Sequence, residues 1–337
     1  MDKTIFIISE IGMTHDGSMG QAKAMIRAAA DSGVDAVKLQ THIADAETLR
    51  DAPAPKYFQN ESRYSFFKRT EFDYFQLQEL KDYAATDCSV EFLSSPFSIE
   101  AVELLEKVGV SSYKIPSGEV SNLPLIAEIA KTGKKIFLSS GMSTWRELDD
   151  AVKLLLDSGI TQLTLLQCTS EYPCRIENAG LHVMKEMTAR YGVPTGLSDH
   201  TPGIFIPIAA ACLGATVIEK HFTLSRHMYG PDSQFSLTPD ELTEMVVGIR
   251  TVEFALANHL DKDLKASDLN HMKIVFEKSI VARNDLPVQA VITPTDLSYK
   301  KPGDGIKANQ YRSVIGKRVL RNISKDERIR WSDLTDA

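Results

Sequence analysis

Eight short strand-like segments recur through the first two thirds of the chain, and they constrain its fold more than any other feature. They read TIFIISEIG (4–12), AVKLQT (36–41), VEFLSSP (90–96), YKIPSG (113–118), KIFLSSG (135–141), LTLLQCT (163–169), PTGLSD (194–199) and VIEKHFT (217–223). Each is apolar along most of its length rather than strictly alternating, as parallel strands covered on both faces are. Between them lie segments with helical spacing, among them QAKAMIRAAADSG (21–33), SIEAVELLEKVG (98–109) and STWRELDDAVKLLLDSG (143–159). These open on polar residues and close on glycine, the usual helix punctuation. Eight such units are the count that closes a (β/α)8 barrel of about 250 residues. The expected fold class is therefore α/β, a (β/α)8 TIM barrel rather than a doubly wound open sheet, because the eighth strand is as clear as the first.

A barrel of this kind gathers its chemistry at the carboxyl ends of its strands. Here those ends carry Glu10, Lys38, Gln40, Ser94, Ser95, Lys114, Ser117, Glu119, Ser139, Ser140, Thr169, Tyr172, Ser198, Asp199, His200, Glu219 and His221. Charges set among apolar residues, as in AVKLQ, SYKIP and VIEKHF, need partners or a polar pocket. His200 and His221 stand just beyond strands 7 and 8, so they are neighbours on one rim and can share a divalent metal, with Asp199 and Glu219 as supporting carboxylates. Lys38 and Lys114, with the hydroxyls of Ser95, Ser117 and Ser139, make a cradle for phosphate and carboxylate. A strand lysine can also form a Schiff base, and that alternative stays open. Neither a Walker motif nor a strand-linked GxGxxG is present, which disfavours a nucleotide.

A net charge of −7 with no basic run argues against nucleic acid as the partner. The start, MDKTIFIISEIG, lacks the charged leader and long apolar run of a signal peptide, and the uncharged stretch GIFIPIAAACLGATVI is too short for a bilayer. The expectation is a cytoplasmic protein with no membrane association. Cys88, Cys168, Cys174 and Cys212 form no CxxC pair and are expected to be reduced and structural. Met142 reads as core filler, and His182, His227, His259 and His271 as ordinary surface or loop residues. His15 and His42 lie close enough to strand ends to reach the site. The aromatic cluster RYSFFKRTEFDYFQ (63–76) is expected to pack over the barrel mouth or against another subunit.

In order along the chain, SEIGMTHDG, AVKLQTH, LSSPF, YKIPSGE, LSSGM, CTSEYP, GLSDHT, IEKHFT and GPD resemble the motifs of the sialic acid synthase family, which includes enzymes making N-acetylneuraminate and legionaminic acids. The tail, SIVARNDLP through DLSYKKPGDGI to IGKRV, is similar to that family's small antifreeze-like (SAF) domain. The resemblance implies a barrel over 1–260, a linker over 261–279 and a SAF domain over 280–337. It implies condensation of phosphoenolpyruvate with an N-acylated hexosamine, N-acetylmannosamine or a 2,4-diacetamido relative, and water, to a nonulosonic acid and phosphate. It places a divalent ion, manganese with magnesium or cobalt as alternatives, on His200 and His221. Lys38, Ser95, Lys114, Ser117, Ser139 and Ser198 would bind phosphoenolpyruvate, and Gln40, Tyr172 and Asp232 the sugar. Glu10, Lys38, Lys114 and Glu119 form the catalytic set. The family's tail would lie over a partner's barrel in a domain-swapped homodimer. This chain departs from the pattern at Thr14-His15-Asp16-Gly17, at Ser95, at Ser170 where a phosphoenolpyruvate-contacting asparagine is expected, and at Lys301, which stands where an arginine contacts the acyl group. Another phosphoenolpyruvate-dependent sugar-condensing enzyme, or a non-catalytic carbohydrate-binding protein, is the alternative reading.

Overall fold

The computed structural model describes residues 5–53 and 61–336. Eight strands, β1 (Phe6–Gly12), β2 (Ala36–Thr41), β3 (Glu91–Pro96), β4 (Ser112–Ile115), β5 (Lys135–Ser139), β6 (Leu163–Cys168), β7 (Thr195–Asp199) and β8 (Val217–His221), close into a parallel barrel in sequence order. Helices α1 (Met19–Asp31), α2 (Ala44–Glu47), α3 (Arg63–Thr70), α4 (Tyr74–Thr86), α5 (Ile99–Val108), α6 (Leu123–Lys131), α7 (Trp145–Asp157), α8 (Leu181–Tyr191), α9 (Phe205–Cys212) and α10 (Pro239–Ala257) connect and surround them. The expected (β/α)8 class is the observed one, and the strand bounds read from sequence hold to within three residues.

Local rules set the helix bounds. Ser98 accepts from Ala101 N at the start of α5, and Gly109 ends that helix at φ 74°. Asp73 with Gln76, and Thr144 with Glu147, form capping boxes on α4 and α7. The outward faces of the strands, including Ile7, Val37, Leu39, Tyr113, Ile136, Leu165 and Ile218, pack on buried helix residues such as Met25, Ile26, Leu105, Ile129 and Leu155 in one continuous core.

The inward faces follow the two-residue strand period and so divide into layers. Ile8, Ala36, Leu93, Phe137, Leu166 and Val217 form a separate buried apolar floor, with Phe6 stacked on Phe137 below it. One step of two residues above the floor come Glu10, Lys38, Ser95, Ser139, Cys168, Ser198 and Glu219, joined by Lys114 from β4. A further step brings Gln40, His200 and His221 to the mouth. Gly196 belongs to the floor. A Cβ there would fall 2.2 Å from Val217 O and 2.9 Å from Leu166 Cδ2, so the close approach of β7 to β8 requires glycine.

The chain divides into two compact units, Met1–Ala257 and Asn258–Ala337. The second is built around its own cluster of Ile280, Ala282, Leu286, Ile292, Leu297, Ile306, Val314, Val319, Ile323 and Ile329. It pairs β9 (Ser279–Ala282) with β10 (Leu297–Lys300) and β11 (Arg318–Val319) with β12 (Leu334–Thr335), all antiparallel. Within VITPTDL (291–297), Val291 bridges Arg318, Pro294–Asp296 form a 3-10 turn capped by Thr293 and Asp296, and Leu297 opens β10. Residues 261–279, expected as a linker, carry two short helices, α11 (Lys262–Asp268) and α12 (Asn270–Phe276). Among the described residues no helix is long and apolar enough to cross a membrane.

The floor layer generates a test of the fold. Gly196→Ala is expected to cost about 1–3 kcal/mol through overpacking against the β8 backbone. Urea midpoints against the wild type measure it, and an unchanged midpoint would contradict the close approach.

Candidate active site

The barrel mouth holds a cavity of about 470 Å³ at the carboxyl ends of the strands. Its polar wall includes Glu10, Lys38, Gln40, Lys114, Ser117, Ser139, Ser170, Tyr172, Ser198, His200, Glu219, His221 and Asp232. Register explains much of this convergence. Glu10 of β1 pairs with Lys38 on one side and with His221 on the other, and Ser198 pairs with Glu219. Gly12 ends β1 at φ 54°, and a Cβ there would crowd Asp232, Glu10 and Gln40 at 3.2–3.5 Å, so three polar side chains meet over a bare backbone.

Two lysines and two carboxylates form the base of the cavity. Lys38 is ion-paired with Glu10, donates to Ser95 Oγ at 3.2 Å and lies 3.8 Å from Glu219 Oε2. Lys114 Nζ and Ser198 Oγ both donate to Glu219 Oε1, each at 2.7 Å. Burial works against the Lys38 ammonium, but Glu10 and Glu219 outweigh it and keep its pKa above the usual lysine value. Burial likewise opposes the Glu219 carboxylate, and Lys114 and Lys38 outweigh that, holding it well below the usual carboxylate range. Lys38 thus stays cationic in a dry site, as an anion-binding cradle requires.

The wall toward the mouth is aromatic. The rings of His200 and His221 have centroids 5.2 Å apart, and Tyr172 lies 4.4 Å from the first and 6.0 Å from the second. His200 Nδ1 is 3.0 Å from the Thr169 carbonyl, so donation there leaves Nε2 with its lone pair. Burial, then His200 and Lys38, hold His221 well below the usual imidazole pKa, and its Nδ1 is buried without a hydrogen bond. Among the described residues no group of three or more His, Cys, Asp or Glu side chains could hold a metal ion. The two imidazoles are the nitrogen donors that could hold a cation here, and two such ligands would leave coordination positions for substrate oxygen and water.

Two residues expected at the site stand elsewhere, and Lys301, expected at a partner's site, lies in the second unit. Glu119 lines a neighbouring cavity with Glu47, Arg63 and Asn122, and accepts from Asn122 Nδ2 at 2.7 Å; burial raises its pKa. Ser95 reaches the site only through its bond to Lys38. Lys301 belongs to the second unit, where its ammonium lies 5.1 Å from the Phe276 ring centroid. Neither supporting carboxylate contacts an imidazole by a hydrogen bond. Asp199 points out of the barrel and binds Lys220 and Thr201, because alternate residues of a strand face opposite sides. Glu219 serves the lysines instead. His15 is buried against Phe72 and accepts from Gly17 N; burial and His42 push its pKa down to about 3, and it does not line the cavity.

Other residues enter that sequence reasoning had set aside. Cys168, expected to be merely structural, lines the cavity 3.5 Å from Ser117 Oγ and 3.7 Å from His200 Nδ1. Met142, expected as core filler, is 65% exposed at the cavity edge. Phe66 and Phe67 of α3, with Phe97 and Met13, form an apolar wall, so the aromatic cluster does pack over the barrel mouth. Strand parity is the signal that finds Glu219 and Cys168: both share the inward face with their catalytic neighbours. No comparable signal marks α3, whose place depends on tertiary packing.

The model of the NeuB family matches residues 25–261, and that of the SAF domain matches residues 277–335. The chain belongs to the NeuB family. It is 39% identical to the N,N'-diacetyllegionaminic acid synthase of Campylobacter jejuni, over 98% of this chain and all of that protein. It is 34% identical to the enzyme of the same name from Legionella pneumophila, over 98% of this chain and 95% of that one. Among solved structures, the N-acetylneuraminic acid synthetase of Leptospira borgpetersenii superposes with a TM-score of 0.70 at 28% identity, covering 79% of this chain and 91% of that one. The sequence resemblance to sialic acid synthases is therefore correct at the level of family and fold.

Asp232 gives this NeuB-family site a pH signature. Burial, then Glu10, raises its carboxyl from 3.8 to about 6. Between these values the folded chain binds more protons than the unfolded one, so stability falls as pH rises through the window and stays lower above it. In chelator-treated protein, Asp232→Asn is expected to gain on the order of 2 kcal/mol relative to wild type between pH 4 and pH 7.5. Urea midpoints at the two pH values check this; an equal difference at both refutes it.

Proposed function

We propose that the chain is a synthase condensing phosphoenolpyruvate with the open-chain aldehyde of an N-acylated hexosamine, and water, to a nonulosonic acid and inorganic phosphate. The observation that carries this reading is a single cavity lined both by a lysine cradle at its base and by a pair of imidazoles toward its mouth. The names of the relatives at 39% and 34% identity support it. They also favour a 2,4-diacetamido sugar over N-acetylmannosamine. The apolar wall of Met13, Phe66, Phe67 and Phe97 suits the methyl groups of such a sugar.

Lys38 and Lys114 take up the carboxylate and phosphate of the enol phosphate, with Ser139 and Ser198 as neutral partners. Ser139 Oγ is buried without a hydrogen bond, so it is free to turn toward such a ligand. Gln40, Tyr172 and Asp232 line the side on which the sugar is placed. The enol carbon attacks the aldehyde carbon, a carbon–carbon bond forms and the aldehyde oxygen takes a proton. Positive character then develops at the enol phosphate's central carbon, where Glu10 and Glu219 stabilise it. Water adds there and gives one proton to Glu10, offsetting the proton taken up by the aldehyde oxygen; the carbon–oxygen bond then breaks, phosphate leaves with its electron pair and with the remaining hydroxyl proton, and the ketone forms. His200 and His221 fit a divalent cation, manganese first with magnesium or cobalt as alternatives, which when bound would polarise the aldehyde oxygen. We extend the proposal to a cytoplasmic homodimer in which the SAF domain of one chain, through Lys301, completes the partner's sugar site.

The test is a panel of acylated hexosamines with phosphoenolpyruvate, following inorganic phosphate and product mass. Chelation is expected to abolish turnover and manganese to restore it. Replacing both His200 and His221 by Gln should cost about a thousandfold in kcat, the several kcal/mol that Lewis-acid assistance supplies. Undiminished synthesis by that variant after chelation would overturn the metal-assisted reading, and no phosphate release with any sugar would overturn the synthase reading.

A further inference from the structure

His42 follows β2 directly and its side chain is 1% exposed. Its ring lies flat between Phe67 of α3, with centroids 3.8 Å apart and planes 8° apart, and Phe97 just beyond β3, at 4.1 Å and 20°. In the plane of the ring, Nδ1 is 2.6 Å from Glu47 Oε1 and Nε2 is 3.1 Å from Gln40 Oε1. The other end of that amide, Gln40 Nε2, donates to Glu10 Oε1 at 2.8 Å.

These contacts fix the direction of the bonds made by Gln40. A carboxylate only accepts, so Glu10 demands the nitrogen end of Gln40 and leaves the oxygen end facing His42. An amide oxygen also only accepts, so His42 Nε2 is the donor to Gln40, while Nδ1 shares a hydrogen with Glu47. The two phenyl rings above and below prevent the imidazole from turning away. An inert packing residue would need the stack but not the paired bonds.

We propose that His42 is a positioning residue for the condensation, resting on the synthase reading above. It holds Gln40 in the one orientation that presents N–H groups to Glu10 and to the sugar side of the cavity. It also ties that orientation to the seating of α3, since Phe67 is both a wall of the cavity and one face of the stack. His42 reaches Lys38 only through Gln40 and Glu10, and the bond between Lys114 and Glu219 is made without it.

His42→Phe retains a flat ring in the stack and removes both ring nitrogens, while His42→Gln retains one donor and serves as the conservative variant. For His42→Phe, kcat/KM for the acylated hexosamine is expected to fall about 10–100-fold, the usual effect of losing a residue that orients a catalytic group. His42→Gln should recover part of the loss, and the Kd for phosphoenolpyruvate by calorimetry should stay within about twofold of wild type in both. In a Gln40→Leu background, His42→Phe should add less than about threefold, because the two act through one bond. A comparable loss of phosphoenolpyruvate affinity, or a full 10–100-fold loss on top of Gln40→Leu, would overturn the role. A readout that needs no turnover separates this from failure of the synthase reading. In 15N-histidine-labelled wild-type protein, His42 Nε2 should carry a hydrogen, and a bare Nε2 would sink the proposal even if no sugar reacts.

Discussion

The ion pairing of Glu10, Lys38, Glu219 and Lys114 is the interaction on which this site depends. All four side chains are almost wholly buried, above a floor with no polar atom to share the load. An isolated charge in such a place would be neutralised rather than kept, at a cost of several kcal/mol. Two of each sign offset one another's burial. The barrel makes this possible because four different strands deliver the four groups to one level. In the proposed reaction the same groups would receive an anion and stabilise positive character beside it.

Most of the fold was legible because it is written in local patterns. Continuous apolar strands, polar helix starts and glycine ends gave eight units with nearly the observed bounds. The barrel side of the site followed from the same patterns, since strand ends are known once strands are. What escaped was everything that depends on which way a side chain turns or on segments far apart in sequence. Asp199 and Lys220 look like site residues beside His200 and His221, yet the two-residue period sends them outward to bind each other at 2.5 Å. Glu219 was placed with the imidazoles, and its true partners, Lys114 and Lys38, lie 105 and 181 positions away in the chain.

The mouth was the least legible part. α3 is anchored by Arg69, which bonds Asp16 in the loop after β1 and Glu61 just before the helix, while Tyr229 from the loop after β8 also reaches Glu61. None of these partners shares a motif or a spacing with another. The division has a physical sense: a rigid set of strands carries the reacting groups, and a helix held by surface ion pairs shapes the wall above them. Relatives in the family bear the names of diacetyllegionaminic acid, pseudaminic acid and N-acetylneuraminate-9-phosphate synthases.

The closing seam of the barrel, where β1 meets β8, has a consequence for the birth of the molecule. Glu10 and Lys38 leave the ribosome early, but Glu219 and His221 follow only after about 180 further residues. Until the last strand docks, Lys114 has no counter-ion and the first strand has a bare edge. A nascent chain therefore acquires the closed barrel and the counter-ion of Lys114 in a single late event.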